Sequence, residues 1–465
     1  MIYRIGFFFA LMVGLGFSVQ AQNSDDQYRK PLKVVLEDIQ KRFNVTIKYG
    51  DNMVKDRWVT YADWRLRSDV DVTLDNVLSP LDLKVNKEGV GKYKLKDYEY
   101  FRWAPEDGWK RMDDIAHQYH DVATWAQRKV LLKQELYAAL QLSPMPARSL
   151  SKPIVTAKRV MDGYTVQNMA IEILPGLYIN GSLYSPLKSK GKIPLILSPD
   201  GHWSAQRYRK DCQIRCASIA RMGAMAFSYD LFAWGESLLQ FKEEDHRRSL
   251  AVTIQALGGI RILDYLLTLD NVDKNRVGIS GGSGGGSHTV LMTALDDRIK
   301  LSAPVVSLSS YHFGGCPCES GMPIHQCGGG TNNIELAAMA APRPQLVVSD
   351  GGDWTAQMPE HDFPYLKKMY GYYGKSSNVE NVHLPLEGHD FGISKRKALY
   401  AFLAKYFDLD LSAVKYTNGL ESNITIEPEK AMYVFGDHGE RLPAHAIKGF
   451  SQLEKVFYVH TKKVL

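Results

Sequence analysis

The stretch R-V-G-I-S-G-G-S-G-G-G-S-H, at residues 276–288, decides the fold of this chain. It begins with a β-branched run, breaks into glycines around a serine, and leads into the helix-compatible residues 289–295. The pattern G-x-S-x-G at such a junction is typical of a nucleophile elbow, a tight turn that exposes a serine hydroxyl at the edge of a sheet. Glycine is needed there because a Cβ would clash in the strained backbone. The sequence therefore predicts a strand, a turn carrying a serine nucleophile, and a helix.

The motif occurs twice, overlapped, around Ser280 and around Ser283. A nucleophile at Ser280 would leave only residues 276–278 as the strand that feeds the turn, whereas Ser283 leaves 276–280, which is close to normal strand length. We therefore favour Ser283. The alternative is a glycine-rich phosphate-binding or flexible loop, but neither G-x-x-x-x-G-K-S/T nor a G-x-G-x-x-G with a suitable acidic residue after it is present.

Apolar strands alternate with helices on both sides of the elbow. Strands are expected at residues 193–198, 224–229, 301–306, 345–348 and 382–385, and an antiparallel pair precedes them at 165–184. This alternation predicts an α/β fold with a mostly parallel central sheet covered by helices on both faces. Functional side chains then belong at the carboxyl ends of the strands.

A serine nucleophile needs a base and an acid that orients the base, and in this architecture the acid precedes the histidine along the chain. The predicted strand at 345–348 opens into a turn that carries Asp353, which we favour as the acid. Asp350 lies closer to the strand and is the main alternative. Glu360 and Asp362 are less favoured.

The candidate base is His389, just past Gly388 on the loop after the last predicted core strand. His383 lies inside that strand, where a packed residue is expected. His361 is near the acid but precedes the last strand. The position of His389 between the final strand and a following helix is where the base is expected.

An oxyanion intermediate needs N–H donors close to the nucleophile. The segment after the strand at 193–198 faces the elbow, so we assign the backbone N–H of His202 and that of Gly284 to this role. Because these are backbone groups, neighbouring side chains are free to contact substrate. We assign substrate contact to Trp203 and Trp354.

These residues carry a resemblance. The motifs are G-I-S-G-G-S-G-G-G at 278–286, P-D-G-H-W at 199–203, D-L-F-A-W-G-E-S at 230–237, R-I-L-D at 261–264 and G-D-W-T at 352–355. Together they resemble bacterial carbohydrate esterases of the α/β-hydrolase fold, a group that includes acetyl xylan esterase-like enzymes and pectin methylesterases. The resemblance spans residue 155 to the C-terminus and implies the triad Ser283, Asp353 and His389. One departure is that D-G-H stands where H-G-x is usual, so a role for a leading histidine is not carried over.

The leading hypothesis is a serine esterase that removes acetyl or methyl esters from plant cell-wall polysaccharide or oligosaccharide through an acyl-enzyme. No cofactor or metal is assigned to this reaction. Neighbouring uronates would favour basic residues at the mouth of the site, and Arg207, Arg209 and Lys210 follow the oxyanion segment closely. A serine peptidase of the same fold and a non-catalytic envelope binding protein are the alternatives.

Four segments are expected along the chain. Residues 1–21 read as a cleavable signal peptide with an apolar run too short for a membrane anchor, and no cysteine is present there for a lipid anchor. This predicts a periplasmic or secreted protein.

Residues 22–100 form a small α+β module whose two helix-strand units resemble the secretin and TonB short N-terminal domain, which implies protein contacts in the cell envelope; a spacer or a lid is the alternative. A helical connector at 101–154 leads to the catalytic domain at 155–465, whose C-terminal extension is expected to add short strands at 424–427 and 432–435.

Charge and cysteine content restrict the function further. The net charge of +6 among 465 residues is small and spread along the chain, which argues against nucleic acid as the main partner. The cysteines number five, so at least one thiol is unpaired, and a disulfide between Cys318 and Cys327 is a candidate staple. A metal site with His312 and His325 matches no standard zinc spacing.

Overall fold

The computed structural model describes residues 29–78, 81, 83–97, 103–248, 250–312, 314, 316–320 and 324–462. The expected signal peptide lies outside these residues. A sheet of ten strands forms the centre of the larger part of the chain. Its strands in chain order are β6 Ile154–Val155, β7 Arg159–Val160, β8 Tyr164–Leu174, β9 Leu177–Pro186, β10 Ile193–Pro199, β11 Met225–Tyr229, β12 Val272–Gly282, β13 Leu301–Val305, β14 Gln345–Asp350 and β15 Val379–Leu384.

The strand order across the sheet is β15-β14-β13-β12-β10-β11-β9-β8-β6, with β7 also paired to β8. Strands β10 to β15 are mutually parallel, and β6 to β9 extend the sheet in antiparallel fashion. The mostly parallel sheet predicted from the sequence is confirmed. Because β10 lies between β11 and β12, the chain changes direction across the sheet at this strand, and a crevice opens beyond its carboxyl end.

Helices cover both faces of this sheet and follow the alternation of the strand side chains. Leu195 and Leu197 of β10 belong to one apolar core, whereas Ile196 between them belongs to the other. The helices of this part are α7 Lys210–Arg221, α8 Leu250–Leu266, α9 Gly284–Leu295, α10 Pro317–Ser320, α11 Asn333–Ala338, α12 Phe363–Tyr372, α13 Ile393–Phe407 and α14 Phe450–Lys462. Burial on both faces explains the nearly continuous apolar runs of the parallel strands.

The N-terminal module has an apolar core of its own, formed among others by Leu36, Leu74 and Leu95. Its elements are β1 Lys30–Pro31, α1 Leu32–Phe43, β2 Thr46–Lys48, α2 Asp51–Val54, β3 Trp58–Val59, α3 Ala62–Arg65, α4 Val70–Leu78, β4 Leu83–Gly89 and β5 Lys92–Asp97. Strands β2, β5 and β4 form a small sheet of three strands in that order. Its resemblance to the short N-terminal domain stays a prediction.

Two helices join the module to the main sheet: α5 Pro105–Ala116 and α6 Val122–Ala139. Their apolar side chains are part of the core under the sheet, as Met112, Trp125, Leu132 and Leu136 illustrate. The apolar side chains of the connector therefore form a packing surface against the sheet. No helix among the described residues combines the length and apolar character that crossing a membrane requires.

The strands expected at 424–427 and 432–435 are wrong. A short hairpin forms instead at Tyr416–Thr417 and Leu420–Glu421, β16 and β17, and the following chain is irregular. The N–H groups of Val434 and Phe435 donate to the buried carboxylate of Glu236, at 2.7 and 3.0 Å. A side chain thus satisfies donors that a sheet partner would otherwise satisfy, which is why an apolar run here does not become a strand.

Candidate active site

Ser283 occupies the turn between β12 and α9. Its backbone has φ 53° and ψ −124°, a conformation that L-residues adopt at a cost. The glycines around it are required by close backbone approach: a Cβ on Gly281 would lie 2.5 Å from the carbonyl oxygen of Gly285, and a Cβ on Gly285 would lie 2.6 Å from that of Pro199. The turn therefore has the backbone strain and the crowding of a nucleophile elbow.

Ser280, the alternative serine, lies inside β12 and is buried. Its hydroxyl donates to the carbonyl oxygen of Ala303 at 2.9 Å. The hydroxyl of Ser283 instead faces a histidine, which makes Ser283 the serine placed for reaction.

The structure brings Ser283, His389 and Asp353 together from three separate loops. The Nε2 atom of His389 lies 2.9 Å from the Oγ atom of Ser283, and its Nδ1 atom lies 2.6 Å from Oδ2 of Asp353. When Nδ1–H donates to the carboxylate, Nε2 carries the lone pair that can accept the serine proton. This is the geometry of a nucleophile, a base and an orienting acid.

The carboxylate of Asp353 is held by several donors. Its Oδ1 atom accepts from the N–H and the hydroxyl of Thr355 at 2.7 and 2.6 Å. Burial alone would raise the pKa of Asp353, but the hydrogen bonds from His389 and Thr355 outweigh it and lower that pKa below its usual value. The low pKa keeps the carboxylate ionised, and a negative charge at this position favours a protonated imidazole at His389.

The other candidate acids and bases lie elsewhere. Asp350 is buried against Lys395, and Asp362 is buried with its carboxylate accepting from the N–H of Ser310 at 3.3 Å. Glu360 is exposed. The ring of His361 stacks on Trp109 at 3.6 Å between centroids, and Nδ1 of His383 lies 2.9 Å from the hydroxyl of Ser349.

The expected oxyanion donors border the nucleophile. Gly284 is the first residue of α9, so its N–H belongs to the helix turn whose donors have no intrahelical acceptor. Gly201 comes so close that a Cβ there would lie 3.0 Å from Cβ of Ser283. The backbone at Gly201 and His202 therefore passes directly beside the serine, and its role as a donor stays a prediction.

The two tryptophans assigned to substrate contact both border the triad. The ring of Trp354 lies 4.5 Å from that of His389, and the ring of Trp203 lies 5.6 Å from it. Trp354 is fixed by its Nε1–H, which donates to the carbonyl oxygen of Ser307 at 3.1 Å, and by stacking on His312 at 4.3 Å. Trp203 packs under the guanidinium of Arg209 at 4.5 Å.

Ser283 opens onto a cleft of about 360 Å³. The residues that line it combine aromatic rings with charged groups, and they are His202, Trp234, Glu243, His246, Arg247, Ser283, His312, Cys316, Glu319 and Trp354. Trp354 is thus a wall of the cleft. Sequence reasoning did not single out Trp234, His246 or Arg247, although Trp234 stands in the quoted run at 230–237.

The expected basic mouth at Arg207, Arg209 and Lys210 is wrong, because none of the three lines the cleft. The guanidinium of Arg207 is fully buried and pairs with Asp230 at 2.7 Å and with Glu236 at 3.3 Å, so it faces the core. Arg209 pairs with Asp200 and supports Trp203 from behind. The direction of the Arg207 side chain depends on Asp230 and Glu236, which lie 23 and 29 residues further along the chain, and a count of nearby basic residues cannot supply it.

The imidazole of His202 is also engaged, contrary to the expectation of a free side chain. Its Nδ1 atom lies 2.8 Å from Oε1 of Glu319, and its Nε2 atom lies 2.7 Å from Nε2 of His246. The proposed staple between Cys318 and Cys327 is wrong, because the Sγ atom of Cys318 lies 2.5 Å from that of Cys316 and the buried Cys327 forms no disulfide. One residue separates Cys316 from Cys318, and both sulfurs lie beside the imidazole of His202.

A serine on a strand-to-helix turn, with its histidine and acid on later strand loops, defines an α/β hydrolase. Methylesterase BT1017 has 50% sequence identity to this chain over 95% of it and 99% of the methylesterase, with a TM-score of 0.75. The chain belongs to the same family as this methylesterase and is an esterase.

Two further solved structures match less of the chain. A glucuronoyl esterase from Solibacter usitatus has 17% identity, covering 61% of this chain and 93% of its own, with a TM-score of 0.45. An acetyl xylan esterase from Paenibacillus sp. R4 has 17% identity, covering 59% and 93%, with a TM-score of 0.43. No protein-family model and no curated protein sequence matches the chain.

Proposed function

We propose that this esterase is a serine carbohydrate esterase that hydrolyses methyl esters of uronic acid residues in plant cell-wall polysaccharide or its oligosaccharides. The observation that carries the proposal is the hydrogen-bonded series from Ser283 through His389 to Asp353, opening onto a cleft with aromatic and cationic walls. The family relation to a methylesterase supports the methyl ester as the bond that is cut. Acetyl esters are the second candidate, since the same groups can transfer either acyl part.

The geometry gives each group a step. His389 Nε2 takes the proton of Ser283 as its oxygen attacks the ester carbonyl, and Asp353 stabilises the imidazolium. The N–H groups of His202 and Gly284 receive the oxyanion. His389 returns the proton to the leaving alcohol, which is methanol for a methyl ester. Water then attacks the acyl-enzyme with His389 again as base, and the sugar acid leaves as a carboxylate.

The walls of the cleft fit a sugar chain that carries carboxylates. Trp234 and Trp354 offer ring faces for pyranose rings, and Arg247 is exposed on the wall, where it can pair with a neighbouring uronate. Glu243 is also on the wall and would oppose a uronate placed close to it. Arg247→Gln should therefore raise KM for methyl-esterified uronic acid oligosaccharides about tenfold and leave an aryl acetate unaffected, whereas Glu243→Gln should leave KM unchanged or lower it.

The decisive measurement is product release from a pectin that carries both methyl and acetyl esters. Methanol without acetate is expected, and Ser283→Ala should release neither. Acetate without methanol would replace the methyl ester by the acetyl ester as substrate. Cleavage of peptide amides, with esters left intact, would point instead to a peptidase.

The location of the protein and the role of the N-terminal module complete the proposal. An exported enzyme is consistent with the signal peptide expected at residues 1–21 and with a polymeric substrate. We propose that the module at 22–100 contacts another protein of the cell envelope, separately from the catalytic domain at 155–465. Pull-down with the full chain and with a chain lacking the module would test it: a partner retained only by the full chain supports the contact, and equal retention by both contradicts it.

A further inference from the structure

Four potential metal ligands meet on the wall of the cleft, outside the triad. The atoms are Nε2 of His202, Nε2 of His246, and Sγ of Cys316 and Cys318, and all lie within 4.8 Å of one another. Nε2 of His202 lies 3.0 Å from Sγ of Cys318 and 3.4 Å from Sγ of Cys316, and the latter lies 3.7 Å from Nε2 of His246. In a tetrahedral zinc site, bond lengths of about 2.0–2.3 Å place ligand atoms roughly 3.3–3.8 Å apart. The distances of 3.4 and 3.7 Å match such a site, and the shorter distances of 2.7 Å between the two Nε2 atoms and 3.0 Å between His202 and Cys318 would lengthen when the ion binds.

The outward nitrogens of both rings are already occupied. Nδ1 of His202 lies 2.8 Å from the carboxylate of Glu319, and Nδ1 of His246 lies 2.5 Å from the carbonyl oxygen of Phe232. Both acceptors require a proton on Nδ1. In a neutral ring the Nε2 atom then carries no proton and has a free lone pair. These lone pairs face each other at 2.7 Å, an arrangement that repels unless a cation lies between them. A histidine that donates Nδ1–H to a carboxylate or a carbonyl while Nε2 binds the ion is the usual arrangement around zinc.

We propose that His202, His246, Cys316 and Cys318 bind one zinc ion. Two imidazoles and two thiolates are the ligand set that zinc prefers, and with four protein ligands no position is left for water or substrate. Each cysteine thiol loses its proton when its sulfur binds the ion, so uptake of one Zn²⁺ releases two protons. The ion is structural, because the hydrolysis by Ser283 takes place without it as a reactant.

The site connects three separate parts of the chain beside the nucleophile. His202 lies in the oxyanion segment after β10, His246 precedes α8, and the cysteines flank the start of α10. The ring of His202 lies so close to the elbow that a Cβ on Gly284 would be 2.5 Å from its Cε1 atom. Zinc would therefore hold the oxyanion segment and the loop at 316–319 in register with the first turn of α9.

Two other states of the cluster compete with zinc. A disulfide between Cys316 and Cys318 would consume both thiols. It would not explain why the Nε2 lone pairs of His202 and His246 face each other with no cation between them. A proton shared by the two Nε2 atoms would satisfy the rings but give the sulfurs no role. Metal content and thiol count separate the three states.

The test uses the purified full chain, reduced with a phosphine, incubated with ZnCl₂ and freed of excess ion. About one zinc per chain is expected by plasma mass spectrometry, and Co²⁺ in place of Zn²⁺ should give the intense visible absorption of a tetrahedral thiolate site. Cys316→Ser and His246→Gln should each lose the bound ion. Cys327→Ser removes a buried thiol outside the cluster and should keep it.

Reduced wild-type protein that takes up no zinc overturns the proposal, as does zinc that remains in both cluster variants. Loss of zinc from Cys327→Ser as from Cys316→Ser would equally contradict it. Thiol titration after unfolding in chelator, without prior reduction, should give five thiols for the zinc form, whereas the disulfide state would give three of the five. None of these readouts depends on ester hydrolysis, so they stand apart from the proposed activity.

Discussion

The ammonium of Lys395 and the carboxylate of Asp350 form an ion pair of 3.0 Å in which both side chains are fully buried. The same ammonium donates to the carbonyl oxygen of Gly388 at 2.5 Å and to Asp390 at 2.8 Å, the two neighbours of His389. One cation of α13 thus connects the end of β14 to the loop that carries the base. Burial lowers the pKa of Lys395, but the bonds to Asp390 and Asp350 outweigh it and raise that pKa above its usual value.

Lys395→Met should destabilise the protein by about 3–5 kcal/mol, because it leaves Asp350 as a buried charge without its partner. kcat should fall as well, since the loop of His389 loses its clamp. Lys405→Met is the matched control on the same helix: its pair with Glu380 is exposed, so the loss should stay below about 1 kcal/mol. Adding Asp350→Asn to Lys395→Met should recover part of the stability. Equal melting temperatures for the two lysine variants would contradict the clamp.

Asp353→Asn should lower kcat for ester hydrolysis by roughly 10³–10⁴-fold with little change in melting temperature, because the imidazole loses its orientation and its counter-charge. Asp350→Asn removes a carboxylate from the same strand end but leaves the partner of His389 in place. It should retain far more activity. A steady-state comparison of both variants on one ester substrate decides between the two acids, and an inactive Asp350→Asn beside an active Asp353→Asn would reverse the assignment.

Arg128 of α6 forms a two-point ion pair with Glu335, with nitrogen-to-oxygen distances of 2.8 and 3.0 Å, and also donates to the carbonyl oxygen of Gly330 at 3.0 Å. Arg128→Met should cost about 3–5 kcal/mol, because Glu335 is completely buried. Lys133→Met on the same helix loses only a pair with exposed Asp297 and should cost less than about 1 kcal/mol. Thermal unfolding of both variants measures the difference, and similar losses would mean that α6 is not held by this pair.

Burial raises the pKa of Asp362 to about 6. The folded state then binds the proton more tightly than the unfolded state, so this group stabilises the fold most at pH below about 4, and the advantage is lost as pH rises to 6. The total change is about 3 kcal/mol, from about 1.4 kcal/mol per unit of pKa shift. Relative to wild type, Asp362→Asn should therefore gain most of that stability, about 2.4 kcal/mol, between pH 4 and pH 7. Denaturant titrations at both pH values that give the same difference would refute the shift.

Local signals are sufficient to bring Ser283, Asp353 and His389 to one edge of the sheet, where the structure places them in hydrogen-bond contact. Ser283 stands in a motif whose glycines are dictated by the turn itself, and Asp353 and His389 follow strands whose apolar runs mark them as buried. Since parallel strands of one sheet end at the same edge, the sequence predicts that these residues, far apart along the chain, lie on the same side of the sheet. Strand length favours Ser283 over Ser280, and the structure places Ser280 inside β12.

Contacts across the chain were not visible in the same way. Arg207 follows the oxyanion segment at a spacing that suggested the mouth of the cleft, yet Asp230 and Glu236 draw it into the core. The N–H groups of Val434 and Phe435, within the strand expected at 432–435, donate to the carboxylate of Glu236 and not to a neighbouring strand. In both cases a buried charged side chain bonds to a group that is close in space but distant in sequence, and a local sequence pattern does not predict such a contact.

The sequence by itself determined the sheet, the elbow and the order of the reacting groups, because each follows from backbone geometry over a few residues. Only the tertiary structure decided which side chains meet at the cleft, with His246 beside His202 and the two cysteines as the main example. The physical reason is that these encounters depend on the packing of distant loops, whose directions are set by long-range hydrogen bonds and ion pairs.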